Sequence, residues 1–317
     1  MVNKKLLSFL CVLLCFILLA CSQHKTNSKQ INFSGAYALY PLNLKWSEEY
    51  KKEHPGIIFN IQPGGAGKGL TDALSGNADA GMFSREISDN ELSQGVWYIA
   101  LAKDAVFPTI NPGNPYIDSL KVHGLTKDVL KNTFINDKFS TWEDLLGIKG
   151  INKAHKLNVY SRSDASGAAE SWAQFFSMRQ ENLKGAGMLG DPGIANAVKN
   201  DANGIGFNNT QYIFDMQTGN KIAGIEILPL DVNGNGKIDS AENFYTNLNT
   251  VENAVLDGNY PSPPVRDLYF VCKQKPANQT ILDYFKWVLT DGQQFIKNAG
   301  YVPLPENVIQ QQLKKLE

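Results

Sequence analysis

Short apolar runs alternate with amphipathic stretches along the first third of the chain. Tyr40 to His54 has the apolar spacing of a surface helix, and Ile57 to Ile61 has the composition of a strand. A second pair follows, with a helix that begins at Gly67 and ends at Ser75 and a buried strand over Ala80 to Arg85 that is polar at its end. Strands that alternate with helices predict an α/β fold with ligands at the carboxyl ends of the strands.

Two apolar stretches punctuated by prolines divide the chain into two lobes. The first is Ala105 to Pro112, and the second begins with the Tyr-Pro-Ser-Pro-Pro segment at residues 260–264. Two crossings make lobe 1 discontinuous, with residues 31–109 and 265–317, while residues 110–264 form lobe 2. We expect a ligand cleft between the two lobes.

The first thirty residues have the pattern of an export signal followed by a tether. Lys4 and Lys5 precede an apolar run from Leu6 to Ala20, which is too short to favour a membrane-spanning helix. The ending Leu-Leu-Ala-Cys resembles a bacterial lipobox and implies cleavage after residue 20 with lipid on Cys21; an ordinary signal cut elsewhere is the alternative. Residues 21–30 are polar and aperiodic, as in a flexible tether. We expect an exported protein of the cell envelope or periplasm, anchored to a membrane by lipid.

The composition excludes several kinds of partner and chemistry. Lys and Arg number 30 against 31 Asp and Glu, and no basic run supports nucleic-acid binding. Of the 4 cysteines, only Cys272 remains in the body of the protein, within an apolar run that predicts a buried thiol without a disulfide. The 4 histidines show no paired spacing that would indicate a catalytic metal site.

The segment Arg162-Ser-Asp-Ala-Ser-Gly167 has the parts of an oxyanion-binding turn. A guanidinium offers a rigid fork of donors to an oxyanion, and Asp164 is placed to orient it. Ser166 and Gly167 precede a helix-forming stretch, so main-chain N–H groups at a helix start could bind the same anion. A surface loop with a local Arg-Asp pair is the alternative interpretation.

Three further segments are typical of anion-facing turns: Ser34 to Pro41, Gly64 to Gly69, and Ser84-Arg85. Glycines after a strand and before a helix expose consecutive N–H groups. The second segment is not a Walker A loop, because Gly69 rather than Ser or Thr follows Lys68.

In their order along the chain, these segments resemble the substrate-binding lipoproteins of phosphate ABC transporters, a branch of the periplasmic-binding-protein-like family. The matching segments are Gly35 to Pro41, Gly64 to Gly69, Asp79 to Arg85, Thr141 to Leu145, Arg162 to Ala168 and Gly300 to Pro305. The resemblance implies a two-lobed type II fold with a central cleft and two hinge crossings. It also implies a monomer that captures phosphate or a similar tetrahedral oxyanion by hinge closure and delivers it to permease subunits.

The resemblance assigns a set of ligand-binding positions. They are Ala38, Leu39, Gly65, Ala66, Gly67, Ser84, Arg85, Arg162, Asp164, Ser166, Gly167 and Ala168. Three of these, Ala38, Ala66 and Ala168, stand where the family has hydroxyls, and each lost hydrogen bond is worth roughly 1 kcal/mol. Arg85 stands where some relatives carry an aspartate that accepts the proton of phosphate. Sulfate, tungstate, molybdate or a larger phosphorylated ligand therefore stay open.

Residues 231–242 fit the twelve-position calcium loop throughout. The expected ligands are Asp231, Asn233, Asn235, the carbonyl of Lys237, Asp239 and Glu242, with Gly236 at the sharp turn. A polar hairpin is the alternative, because Asn-Gly pairs favour tight turns. A strand predicted over residues 224–230 argues against a full helix-loop-helix hand, so we expect a structural calcium ion.

Two other function classes are consistent with the sequence. An exported phosphate-ester hydrolase would need a nucleophile with a base, or two metal ions, and would turn over phosphoesters. A calcium-stabilised surface module with a degenerate cleft would show no stabilisation by oxyanions. We expect a binding protein rather than an enzyme.

Overall fold

The structure is a computed structural model that describes residues 30–150 and 152–317. The predicted signal, the lipidation site Cys21 and the tether up to residue 29 lie outside the described residues. In the part of the chain that is described, no helix is long and apolar enough to cross a membrane.

Strands and helices alternate as the apolar pattern predicts. The nine strands of the described residues are β1 (Gln30–Gly35), β2 (Ile58–Pro63), β3 (Ala80–Phe83), β4 (Trp97–Ile110), β5 (Asn158–Arg162), β6 (Ala186–Met188), β7 (Gly204–Asn209), β8 (Glu226–Ile227) and β9 (Val265–Cys272). Their α-helices are α1 (Tyr40–Glu53), α2 (Ala66–Ser75), α3 (Asp89–Ser93), α4 (Ile117–His123), α5 (Lys127–Phe134), α6 (Trp142–Leu146), α7 (Gly167–Phe175), α8 (Gly190–Lys199), α9 (Leu248–Leu256), α10 (Gln279–Leu289) and α11 (Glu306–Leu316). The strand expected over residues 224–230 is reduced to the two residues of β8.

The strands form one continuous sheet in the order β2-β1-β3-β9-β4-β7-β5-β6, with β8 beside β4. The long strand β4 joins its two halves. Its first half pairs antiparallel with β9, and Val106 to Ile110 pair with β7. The two strands β4 and β9 therefore connect the lobes.

Each half of the sheet has its own apolar core. Trp46 and Phe270 lie in the core of lobe 1, which also buries the thiol of Cys272 as predicted, while Phe107 and Trp172 lie in the core of lobe 2. Along β4, residue 102 still packs in the core of lobe 1, and residue 105 packs in the core of lobe 2. The lobe boundary therefore lies slightly before residue 109, where it was expected. Two separate cores allow the lobes to move as units about β4 and β9.

A buried ion pair ties the two connecting strands together. Arg266 on β9 donates from Nε and Nη2 to the carboxylate of Asp104 on β4, at 2.8 and 3.2 Å, and from Nη2 to Oδ1 of Asn209 on β7, at 2.9 Å. Burial raises the pKa of Asp104, and Arg266 opposes the rise. This pair fixes the register of β4 and β9 at the hinge.

A second carboxylate at the junction of the lobes predicts a pH dependence. Glu252 on α9 lies beside Lys297 and Tyr301 of lobe 1, and its Oε1 is buried with no partner among the described residues. Burial raises the pKa of Glu252 to about 7, and Lys297 lowers it in part. Since the folded-state pKa lies above the ordinary value, this group favours folding at low pH and loses that contribution as the pH rises through 7.

We therefore expect Glu252→Gln to raise the melting temperature at pH 8 by roughly 2–4 °C and to leave it nearly unchanged at pH 4.5. Thermal denaturation of both proteins across this pH range checks the prediction. An equal shift at both pH values would contradict it.

Candidate functional site

Arg162 is the last residue of β5, and its guanidinium lies 5.5 Å from the ring centre of Tyr37 in lobe 1. The chain turns after it, and Ser166 caps the following helix α7 by accepting a hydrogen bond from the N–H of Ala169 at 3.2 Å. The side chain of Arg162 is only 1% exposed. A guanidinium this deeply buried must be neutralised by nearby carboxylates.

Two carboxylates hold the guanidinium of Arg162. Asp164, the predicted partner, accepts from Nε at 2.8 Å and from Nη2 at 2.6 Å. Asp191, which none of the sequence motifs marks, accepts from Nη1 at 2.6 Å. Burial lowers the pKa of Arg162, but Asp191 and Asp164 together raise it above its usual value. Arg162 is therefore charged, and the three groups have a formal charge of −1.

The helix α8 places Asp191 beside Arg162. Its first residue, Gly190, donates its N–H to Oδ1 of Asp164 at 3.1 Å, and Asp191 follows in the first turn. Carboxylates are stabilised at the positive end of a helix. Burial raises the pKa of Asp164. Arg162 and the hydrogen bond from the Gly190 N–H lower the pKa by a larger amount, so it lies below its usual value. The small-residue turn at residues 190–193 is the local signal that could have pointed to this helix start.

The glycine turns of lobe 1 lie against this part of lobe 2. The N–H of Gly67 donates to the carbonyl of Ala165 at 3.1 Å. A Cβ on Gly65, whose φ is +85°, would lie 2.6 Å from Oδ2 of Asp164, and one on Gly167 would overlap the carbonyl and hydroxyl oxygens of Ser84. The lobes are thus closed over Arg162, and the contacts require residues without side chains.

Three helices begin around the guanidinium. They are α2 from lobe 1 and α7 and α8 from lobe 2, each nine or ten residues long. The first N–H groups of a helix have no partner within it and carry partial positive charge. The helix starts therefore offset the formal negative charge of the arginine and its two carboxylates.

Four of the remaining predicted positions are apolar and belong to the buried cores of the two lobes. Ala38, Ala66 and Ala168 are buried to within 2% exposure, and Leu39 is fully buried. Tyr301 donates its hydroxyl to the carbonyl of Ala38 at 2.6 Å. The three alanines supply no O–H donors at these positions.

Comparison with known proteins identifies the family. A family model described as a PBP superfamily domain matches residues 20–292. The chain belongs to the PBP superfamily.

Relatives from two bacteria carry the name phosphate-binding protein PstS. A phosphate-binding protein PstS of Xylella fastidiosa (strain Temecula1) is 27% identical over 319 residues, which cover 92% of this chain and 85% of that protein. The Staphylococcus saprophyticus protein of the same name is 25% identical, with 91% and 84% covered.

Solved structures of the superfamily share the fold. One from Clostridium perfringens, described as a phosphate ABC transporter substrate-binding protein with bound phosphate, aligns with a TM-score of 0.69 at 20% identity over 87% of this chain and all of that chain. An ABC-type phosphate transport receptor from Vibrio cholerae aligns with a TM-score of 0.61 at 16% identity, also over 87% of this chain and all of that chain. The two-lobed α/β fold expected from the sequence is confirmed.

Arg85 is held within lobe 1 in this PBP superfamily member. Its guanidinium donates to both oxygens of Glu91, at 3.0 and 2.6 Å, and lies 4.5 Å from the ring centre of Phe83. Both charged partners line a cavity of about 680 Å³ at the mouth of the cleft, where Ala165 and Ser166 form the opposite wall. Arg85 is thus placed at the entrance, paired with its own carboxylate.

The predicted calcium loop closes on its own carboxylates. Asp231 accepts from the N–H groups of residues 234–236, and Glu242 accepts from those of residues 232, 233 and 239. The amides of Asn233 and Asn235 both contact Oδ2 of Asp239, at 3.0 and 2.7 Å. Among the residues that the structure describes, no three His, Cys, Asp or Glu side chains are grouped as a metal site.

Proposed function

We propose that this chain is the phosphate-binding component of an ABC importer. It is exported, captures phosphate between its two lobes and presents the closed form to the permease subunits. The observation that carries the proposal is Arg162, a buried guanidinium whose partner Asp164 faces the glycine turn of the opposite lobe. The relatives from Xylella fastidiosa and Staphylococcus saprophyticus are named phosphate-binding proteins, which supports the proposal.

The donors around Arg162 suit a small oxyanion. Asp164 and Asp191 accept from three of its N–H groups, and a guanidinium has five. Main-chain N–H groups at the starts of α2 and α7 add donors that depend on no side chain, so the alanine replacements leave them intact. Closure removes water from the site and strengthens each of these interactions.

Calorimetric titration of the purified protein with phosphate tests the proposal. We expect saturable binding with one phosphate per chain and a rise in melting temperature as phosphate is added. A protein that hydrolyses phosphoesters would instead support the hydrolase alternative. If no oxyanion raises the melting temperature of the protein, the proposal is contradicted.

One observation favours the surface-module alternative. Asp191 already bonds Nη1 of Arg162, and the three alanines remove the hydroxyl donors that the family resemblance implies. A cleft that closes on its own carboxylates needs no anion. The oxyanion titration separates the two functions, because only the binding protein is stabilised by its ligand.

We also propose that lipid on Cys21 anchors the protein to a membrane. The Leu-Leu-Ala-Cys sequence at residues 18–21 supports this placement. Mass spectrometry of the protein from the membrane fraction should detect acyl groups on this cysteine, and Cys21→Ser should release the protein from the membrane.

A structural calcium ion in the loop of residues 231–242 is the third proposal. Asn233 and Asn235 already converge on Asp239, and rotation of their amides would direct oxygens to the same point. We expect a chelator to lower the melting temperature and added calcium to restore it; binding at 100 times the dissociation constant contributes about 2.7 kcal/mol.

Glu242→Gln should make the protein insensitive to the chelator, because the twelfth-position carboxylate is lost. Elemental analysis of the untreated protein gives an independent check. Absence of bound calcium together with an unchanged melting temperature would contradict the proposal.

A further inference from the structure

One carboxylate oxygen beside Arg162 has no hydrogen-bond partner. Oδ2 of Asp191 accepts from Arg162, but Oδ1 is buried without a partner among the described residues. Asp191 as a whole is 2% exposed. A buried oxygen of this kind is nearly always satisfied by a water molecule or a ligand, because leaving it unpaired costs on the order of 1–3 kcal/mol.

We infer that Asp191 selects protonated oxyanions at this site, because its Oδ1 accepts a hydrogen bond from an O–H group of the bound anion. The inference rests on the proposed function and names the residue that discriminates between ligands. Phosphate and arsenate carry a proton near neutral pH, whereas sulfate does not. With sulfate, a lone pair of the ligand would face a lone pair of Asp191.

The charges around Arg162 favour the same conclusion. Arg162, Asp164 and Asp191 already sum to −1, so a fully deprotonated anion meets net repulsion from the side chains nearest to it. An O–H directed at Asp191 replaces one of these repulsions with a charge-assisted hydrogen bond. The helix starts of α2, α7 and α8 then stabilise the remaining negative charge.

The other two charged residues of the predicted site, Asp164 and Arg85, do not offer the same acceptor. Both oxygens of Asp164 accept hydrogen bonds from Arg162, and one also accepts from Gly190. Arg85, at the position where some relatives carry an acceptor, is a donor held by Glu91. Asp191 therefore contributes an acceptor from lobe 2, at a position that the family motifs do not mark.

Buried water is the competing occupant of this oxygen. At the hinge, Asn209 and Arg266 each have one buried nitrogen without a hydrogen-bond partner among the described residues. Buried waters commonly satisfy such groups. A water on Asp191 would leave the choice of oxyanion to other residues. The two occupants therefore predict different selectivities.

The test is calorimetric titration of wild type and Asp191→Asn with phosphate, arsenate and sulfate. For the wild type we expect phosphate and arsenate to bind at least ~10³-fold more tightly than sulfate, as in sites that depend on a ligand hydroxyl. Asp191→Asn should lower that ratio at least ~100-fold, with tighter sulfate binding, because an amide can donate to a ligand that has only acceptors.

Asp201→Asn is the matched control. Asp201 also lies in lobe 2 and accepts from Asn158 and Tyr160, both at 2.7 Å, so the same substitution should leave the ratio unchanged. If Asp191→Asn does not fold, Asp191→Ser is titrated in the same way, and the ratio must again fall.

An unchanged ratio in a folded Asp191 variant would overturn the inference and leave the proposed function standing. Equal binding of phosphate and sulfate by the wild type would also overturn the inference and leave the proposed function standing. A wild type that binds neither phosphate nor arsenate would overturn both.

Discussion

Replacing Arg162 with alanine is expected to abolish tight phosphate binding and to destabilise lobe 2. Truncation of one member of a buried, hydrogen-bonded charge pair costs about 2–5 kcal/mol, which corresponds to roughly 30-fold to 5,000-fold in affinity. The same change leaves Asp164 and Asp191 buried without their cation. We therefore also expect the free energy of unfolding to fall by about 3–5 kcal/mol.

Two further variants separate charge from geometry. Arg162→Lys keeps the positive charge but cannot hold two carboxylates with a planar fork, so its affinity should lie between those of the wild type and Arg162→Ala. Arg179→Ala removes an exposed arginine at the mouth of the same cleft and should leave affinity nearly unchanged. Calorimetry measures affinity and chemical denaturation measures stability. An Arg162→Ala protein that binds phosphate as tightly as the wild type would contradict the assignment.

The second large effect is expected from Gly167→Ala, which should prevent closure while each lobe remains folded. A Cβ at this position would overlap the carbonyl and hydroxyl oxygens of Ser84 in the opposite lobe. The overlap exists only when the lobes are closed. Ser84 and Gly167 are both buried in the closed form. We expect phosphate affinity to fall at least ~100-fold, because the binding-competent closed state is depopulated by that factor.

The melting temperature of the ligand-free Gly167→Ala protein should change little, and small-angle scattering should show no compaction when phosphate is added. Gly64→Ala is the matched control, because a Cβ there would meet only the flexible side chain of Lys68. A Gly167→Ala protein that compacts with phosphate as the wild type does would contradict the closure mechanism.

Local features of the sequence predicted much of the site. Arg162, Asp164 and Ser166 lie within five residues of one another, and their roles as a held guanidinium and a helix cap follow from short-range chemistry. Asp191 could not be found in this way, because it lies 29 residues along the chain and reaches Arg162 only through the fold of lobe 2. Contacts of this kind depend on tertiary structure, which local patterns do not specify.

The strand β4 shows why the first crossing was located only in part. Its apolar end, from Ala105 onward, was predicted, but the strand begins at Trp97. Lys103 and Asp104 interrupt the apolar pattern, and each pairs with an opposite charge on β9, Asp267 and Arg266 respectively. The partners lie about 160 residues away along the chain. The local sequence therefore suggests that the strand is interrupted at these two charged residues.

A crystal structure of the protein grown with arsenate, located by its anomalous signal, tests the central claim most directly. We predict one tetrahedral oxyanion between the closed lobes, within hydrogen-bond distance of Arg162 and of the main chain at the start of α7. Arsenate bound only outside this cleft, or lobes that stay open with Arg162 paired solely to Asp164 and Asp191, would contradict the account.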